Sequence, residues 1–340
     1  CGHAMTNTVT RRGRATRLCG AADLFATDPG RGWTASVNYG ACHDGFTMAD
    51  LTRYRHKHNE RNGEDNRDGT NDNHSVNFGY EGPSDDPIII QQRERAMANM
   101  LGMLLLSLGT PMLLSGDEFG NSQNGNNNAY MQDNPTTWLD WDWLYSTEQT
   151  PELKQFDLVS RLIALRKSRD LYDHEDFFTR LSKIGLLKRS DRVHWFLPSG
   201  HAPHDADWTN PAVHTFAMQL LSPDGSGLMI LINGSDEISR FHLPADKEWE
   251  MVWSSAEVSG EYPGQGTSVD RVAELNEESE NKPAGRFSDH LHRLNMMYWH
   301  ADVNDGAVPE DIYDAEGADD PTLWTIPALS ISVMRQISAD

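Results

Sequence analysis

Between residues 88 and 108, Met97, Met100, Leu101, Leu104, Leu105 and Leu108 recur at intervals of three and four behind a polar first turn of Gln91, Arg93, Glu94 and Arg95. That period predicts a helix, with its methionine stripe packed into a core. Gly109 is the expected C-cap, Pro111 prevents the helix from resuming, and Met112, Leu113 and Leu114 read as a short strand buried on both faces. Upstream, residues 36–47 form a short, mostly small and apolar run that ends in His43-Asp44-Gly45. This predicts a buried strand whose last residues present an imidazole and a carboxylate to a cavity. Thr150 and Pro151 are an N-cap and first-turn proline, and Leu153, Phe156, Val159, Leu162, Ile163 and Leu165 make the following helix largely buried.

Beyond a composition shift near residues 168–175, the pattern shortens. Apolar runs at 193–196, 213–220, 228–232, 249–253 and 325–334 alternate with Asn-Gly, Asp-Gly and Pro signals. Several short strands with turn punctuation predict an antiparallel β-sandwich. Residues 256–320, with Glu274, Glu277, Glu278 and Glu280 and little apolar periodicity, read as a long acidic insertion. Residues 1–14 have no apolar periodicity either.

Composition narrows the picture. A chain of 340 residues, 38% hydrophobic, is long enough for a sizeable core and two domains. Twenty-nine basic against fifty-one acidic residues give a formal charge of −22, which disfavours nucleic acid and anionic membrane surfaces as partners. Cys1, Cys19 and Cys42 cannot pair completely, and their spacing suggests no zinc site; reduced thiols in a cytoplasmic protein are the expectation. An N-terminal cysteine can be lipid-modified in a processed lipoprotein, but no signal precedes it, and a truncated start is the preferred reading. The apolar run 97–114 is divided by Asn99, Ser107 and Gly109-Thr110-Pro111, so it reads as helix plus strand rather than a membrane span.

The candidate chemistry lies in the polar stretches. His-Asp-Gly after a strand is by itself more often a turn than a catalytic site, since Asp favours turns and Gly supplies a positive φ. Residues 53–82 are rich in Asn, Asp, Gly and His and too long for an ordinary connector, which makes them a candidate lid. A calcium loop over Asp65, Asn66, Asp68, Asn71 and Asp72 fails because Arg67 and Gly69 fall where oxygens are wanted. His56 and His58 lack an evident third metal ligand and read as solvated. Asp117 and Glu118, adjacent on an expected strand, would point to opposite faces and cannot flank one bond; Asp117 reads as a structural or subsite hydrogen-bonder. Residues 120–142 carry Asn126, Asn127, Asn128, Tyr130, Gln132, Asp133, Trp138 and Trp141. Amides and aromatic faces suit a polyhydroxylated, partly apolar ligand, although Trp141 and Trp143 are better read as buried against the next helix.

Taken in order, His43-Asp44-Gly45, then His58-Asn59-Glu60, Asn62-Gly63-Glu64 and Asn66-Arg67-Asp68-Gly69, then Gly109 to Leu114 with Gly116-Asp117-Glu118, then Gly125 to Tyr130 and Thr137-Trp138-Leu139-Asp140-Trp141 resemble the glycogen debranching enzymes, the isoamylase-like branch of the α-amylase superfamily. The resemblance implies a fold of class α/β plus all-β: the C-terminal part of a (β/α)8 TIM barrel, its last two strands and helices, followed by an antiparallel β-sandwich. The implied division is a truncated N-terminal remnant at 1–35, the barrel portion at 36–172 and the sandwich at 173–340.

It also implies a glycoside hydrolase of α-glucan breakdown acting on α-1,6 branch linkages, without cofactor or metal. Asp44 takes the role of transition-state stabiliser, with His43, Asn127, Asn128 and Tyr130 as substrate-binding residues. Such hydrolases need a nucleophile and a general acid roughly 5 Å apart. Residues 1–35 hold neither an Arg-x-Asp after an apolar strand nor a Glu-Pro-Trp-like motif, so this chain alone is expected to be inactive. The implied partner is glycogen, a branched α-glucan or a maltooligosaccharide, a neutral polymer indifferent to the acidic charge. The alternative is a noncatalytic glucan-binding or vestigial fragment.

Overall fold

The computed structural model describes residues 11–21, 33–167, 172, 193–210, 214–222, 226–259, 264–265 and 322–337. Most of the composition shift at 168–175 and nearly all of the acidic stretch at 256–320 lie outside the described residues. In chain order the elements are α1 (Arg11–Leu18), β1 (Val37–Tyr39), α2 (Pro87–Leu106), β2 (Thr110–Met112), α3 (Pro151–Lys167), β3 (Val193–Phe196), α4 (Asp205–Thr209), β4 (Thr215–Leu221), β5 (Gly227–Asn233), β6 (Ser239–His242), β7 (Glu248–Ser254), β8 (Gly264–Gln265), β9 (Leu323–Ile326) and β10 (Ser330–Ile337).

Helix α2 begins where the chemistry allows it. Asp86 sits in extended conformation and accepts from the Ile88 N–H, and Pro87 occupies the first turn, where no N–H is needed. At the other end the helix stops at Leu106, two residues before the predicted end, and the expected Gly109 cap is replaced by side chains from far along the chain. Arg166 of α3 donates to the carbonyls of Leu105, Ser107 and Gly109 at 2.6–2.7 Å, and the Tyr172 hydroxyl donates to Leu106 O at 3.0 Å. The guanidinium lies 4.2 Å from the Tyr172 ring centre. A cation at a helix C-terminus also opposes the negative end of the dipole.

Strands β1 and β2 pair in parallel, Val37 with Thr110 and Tyr39 with Met112, on either side of α2. The predicted burial of both strands is not observed: Val37, Tyr39 and Met112 are exposed, and β2 ends at Met112 rather than continuing through Leu114. Among the described residues this parallel sheet has only two strands, and only its middle positions, Asn38 and Pro111, are half-buried. Helix α1 crosses a stretch without apolar periodicity; Leu18 anchors it, fully buried beside α2, with its carbonyl accepting from Leu108 N at 2.8 Å.

The remaining strands form two antiparallel sheets, one ordered β3-β4-β5-β10-β7 and one ordered β6-β9-β8. Side chains alternate between faces as the pleat requires. Phe216, Met218, Ile230, Ile232, Ile331 and Val333 face α2, whereas Ala217, Met229, Leu231 and Met334 face Phe241, Trp324 and Ile326 of the smaller sheet. The five-stranded sheet is therefore a middle layer. Opposite Val333 and Met334 the register of β7 shifts by one residue, and the resulting bulge sends Trp253 to the helix side while Trp249 and Met251 face the small sheet.

The single strand expected over 325–334 is two strands in two different sheets. Pro327 removes a ladder donor, and Leu329 takes a φ of 46°. Asn233 fixes the break by donating to the carbonyls of Glu237, Ile326 and Pro327.

Helix and sheet approach closely at Gly102, where an added Cβ would stand 2.9 Å from the Trp253 ring. Alanine in place of glycine ordinarily stabilises a helix interior by about 1 kcal/mol. Here the ring is itself buried, so Gly102→Ala is expected to lower stability by about 1–2 kcal/mol through overpacking, read as a lower urea midpoint with an unchanged slope. A higher midpoint would show that the ring yields.

Candidate functional site

The turn after β1 carries His43 and Asp44. Gly45 has a φ of 103°, which lets the chain reverse without Cβ strain, and its N–H donates to Asn127 O at 3.0 Å. The His43 and Asp44 side chains are 87% and 79% exposed and stand 3.5 Å apart, so they project into solvent rather than into the cavity expected from the sequence. With only two strands in the parallel sheet, nothing among the described residues closes over the turn.

Two buried carboxylates hold the segment just beyond this turn. Asp50 accepts from Ser122 Oγ, Gln123 N and Gly125 N, fastening the loop after β2 to the turn after β1. Burial raises its pKa against those hydrogen bonds. Asp117 accepts from Met48 N at 2.8 Å, and its second oxygen has no partner. It lies in a 3-10 turn (Asp117–Phe119), not on the strand predicted from Gly116-Asp117-Glu118, because Gly116 adopts a φ of 98° and ends the extended run. Burial, reinforced by Glu118 and Asp50, pushes its pKa up to about 7 despite the Met48 N–H.

The long polar segment 53–82 is fastened along its length. Arg93 of α2 donates to the carbonyls of Asn77, Tyr80 and Gly82. Glu81 accepts from Arg55 N, His56 N, Asn77 Nδ2 and His58 Nε2; burial alone would raise its pKa, but the four hydrogen bonds take it down to about 2. His58 is thus not the solvated residue expected: it is half-buried, bonded to Glu81 and edge-on to Tyr54.

Between the two loops lies a lattice of amides. Asn59, fully buried, accepts from Asn127 N and donates to Asn127 Oδ1, and Asn127 spends its own N–H groups on Thr70 O and Asn73 Oδ1. Asn62 joins Asp68, Asn126, Asn128 O and Gln132, and Asn128 Nδ2 donates to Asp68 Oδ2. The bonds from Asn62 and Asn128 lower the Asp68 pKa. Gly69 is required here: at a φ of 68°, a Cβ would stand 2.3 Å from Asn127 Oδ1.

Of the residues singled out in the sequence, Gly45 and Asn127 bring the His43–Asp44 turn and the asparagine loop together, Asn127 is buried, Asn128 is half-buried, and Tyr130 is 78% exposed in the turn Ala129–Met131. Sequence reasoning passed over Asn59, Asn62 and Asp50. The high density of Asn and Asp in both 59–73 and 121–134 was the available signal that the two loops satisfy one another. Trp143 is buried against Phe156 as expected, whereas Trp141 lies partly exposed over Phe119. No group of three or more metal-binding side chains occurs among the described residues, and none of the described helices is long and apolar enough to cross a membrane.

No family model matches the chain. It is homologous to the glycogen debranching enzymes. It is 37% identical over 247 residues to a glycogen operon protein GlgX homolog of Mycobacterium tuberculosis, covering 68% of this chain and 33% of that protein. To the glycogen debranching enzyme of Dickeya chrysanthemi it is 39% identical over 246 residues, covering 70% and 33%. The chain thus spans about a third of the length of the curated relatives it matches. Among solved structures, apo pullulanase from Paenibacillus barengoltzii aligns with 97% of this chain and 35% of its own at a TM-score of 0.53 and 16% identity, a shared fold over that part.

Asp117 makes one distinct contribution to the pH response of the site. Its folded pKa lies above the ordinary 3.8, so its contribution to stability is complete below about 3.8 and is lost as pH rises through about 7. Asp117→Asn keeps an acceptor for Met48 N and cannot ionise. Thermal melts across that window are expected to show a wild-type midpoint that declines relative to the variant as pH rises; parallel curves would assign the proton elsewhere.

Proposed function

We propose, from homology to a third of the glycogen debranching enzymes, that this chain is the counterpart of the carboxyl-terminal portion of such a hydrolase. In this reading β1 and β2 are the seventh and eighth strands of a (β/α)8 barrel, α3 is the eighth helix, residues 36–172 are the barrel portion and residues 173–340 the β-sandwich. The observation that carries it is the parallel pairing of β1 with β2 across α2, with His43-Asp44-Gly45 at the carboxyl end of β1, where barrel enzymes place their chemistry.

Asp44 then grips ring hydroxyls and favours the flattened, oxocarbenium-like sugar, and His43 donates to the same ring. Tyr130 offers an exposed ring beside the asparagine loop, Asn128 a half-buried amide. Asn127, whose amide is already engaged within the protein, supports the subsite through its backbone, holding Gly45 in place. The substrate is a branched α-glucan, and the bond is the α-1,6 linkage. Retaining hydrolysis requires two carboxylates about 5–5.5 Å apart on either side of that bond. Asp44 is the one catalytic carboxylate assigned to this polypeptide; the nucleophile and the acid come from another part of the enzyme.

The exposure of Asp44 favours a second reading, a noncatalytic glucan-binding fragment. A carboxylate in bulk water lacks the water-excluded surroundings in which electrostatic stabilisation is large.

The test is hydrolysis by the 340-residue chain and by its Asp44→Asn variant, using a phosphorylase-limit glycogen. Neither is expected to release linear maltooligosaccharides. Release by the wild type that Asp44→Asn abolishes would mean that this polypeptide completes the site itself.

A further inference from the structure

We propose that Asp117 is a proton-operated latch: protonated, it closes the junction between the segment that follows the His43–Asp44 turn and the loop after β2; ionised, it opens that junction. The device lies in the junction itself and is independent of what the turn binds.

The junction is reciprocal. Asp117, in the loop after β2, accepts from Met48 N of the segment after the turn at 2.8 Å. Asp50, in that same segment, accepts from Ser122 Oγ, Gln123 N and Gly125 N of the loop. Both sides are sealed where they meet: Thr47, Met48, Ala49, Asp50 and Asp117 are each at most 1% exposed. Met48 lies four residues from Asp44, with Gly45 N held by Asn127 O between them. Opening at Met48 and Asp50 therefore leaves the turn mounted through Gly45.

The two carboxylates are not alike. Asp50 has three donors for its two oxygens, whereas Asp117 has one, and its Oδ2 has no hydrogen-bond partner among the described residues. The charged groups that act on Asp117 have its own sign, Glu118 beside it and Asp50 across the junction. From the other elements the same turn meets apolar groups: Leu153 of α3 and Trp143 pack with Phe119, and Met97 of α2 stands beside Gly120. A carboxyl placed so is held neutral, and its ionised form is relieved only where water reaches the second oxygen. Its pKa is accordingly pushed up to about 7. The means of opening is also built in, since the turn Asp117–Phe119 is bracketed by Gly116 at a φ of 98° and Gly120 at 79°. Glycines at both ends take up backbone rotation that other residues resist.

Opening gives Asp117 its ordinary pKa of 3.8, so a proton leaves on opening at any pH between about 3.8 and about 7. The open fraction then rises about tenfold per pH unit in that window and levels off above it.

Hydrogen exchange of the Met48 amide in the 340-residue chain, corrected for the intrinsic pH dependence of exchange, tests this. Opening is expected to increase about fiftyfold between about pH 5 and about pH 7, and little beyond. Asp117→Asn keeps the acceptor for Met48 N and cannot ionise. It is expected to lose most of the rise, any remainder belonging to Asp50, whose pKa burial also raises. Glu118→Gln keeps an acceptor for Gly116 N, removes one of the two opposing charges, and is expected to move the plateau to lower pH. A flat wild-type profile, a rise as large in Asp117→Asn, or a plateau that Glu118→Gln leaves in place overturns the proposal. So does a Met48 amide that exchanges no faster than those of Met97 to Leu106 in α2, which would make the opening a whole-molecule unfolding.

Discussion

Helix α2 is apolar on every side of its carboxyl-terminal half, where each residue from Met97 to Leu106 is buried, and a helix of that kind must be covered all round. The five-stranded sheet covers one side, α3 a second, and Met48, Ala49 and Leu18 the rest. The cover comes from both ends of the chain, so the amino-terminal segment and the five-stranded sheet share one core, while the three-stranded sheet packs into a separate cluster on the other face of that sheet. The same burial would strand the last carbonyls of the helix away from water, a cost of about 1–3 kcal/mol for each one left unpaired. Arg166 and Tyr172 satisfy them, which ties the end of α3 to the end of α2 as firmly as their apolar contacts do.

Much of this was legible from periodicity. The three-and-four spacing around Met97 and Leu104 locates α2, the Thr150-Pro151 pair locates α3, and the short apolar runs locate β3, β4, β5 and β7. The misses have a common physical origin, in that each was decided by a partner distant in sequence. Ser107 rather than Gly109 ends the helix because a guanidinium from α3 reaches its carbonyls. Alternation alone would put Trp253 on the same face as Trp249, and only the bulge against β10 reverses it. Ser239–His242 has a single buried residue, Phe241, and so little apolar signal that only its pairing with β9 reveals it as a strand.

At the site, the sequence marked the polar loops but not their mutual dependence. Segment 53–82 and loop 120–132 bury little apolar surface beyond Tyr54 and Ala129, and neither would hold a single conformation for its own sake. They order one another because an amide side chain donates and accepts at once, so that Asn59 and Asn127 close a reciprocal pair and Asn62 serves several partners. Amides do this without the desolvation cost of charge, which suits a buried junction better than ion pairs would. The many Asn residues of these loops have the composition of a ligand site, yet their amides are in large part spent on holding the loops together.

Asp50 spends both oxygens on the 122–125 loop, Asp68 is engaged by Asn62 and Asn128, and Glu81 holds four donors, so these carboxylates are committed to holding the loops. Asp117 is sealed from solvent and holds Met48. Asp44 stands apart: its carboxylate lies in the open beside His43, while the backbone of the turn that carries it is fixed through Gly45 to Asn127 and, a few residues on, through Asp50 to Gly125. Under the proposed reading, a firmly mounted carboxylate whose side-chain neighbour is His43, placed after a parallel strand, is positioned to meet a ligand.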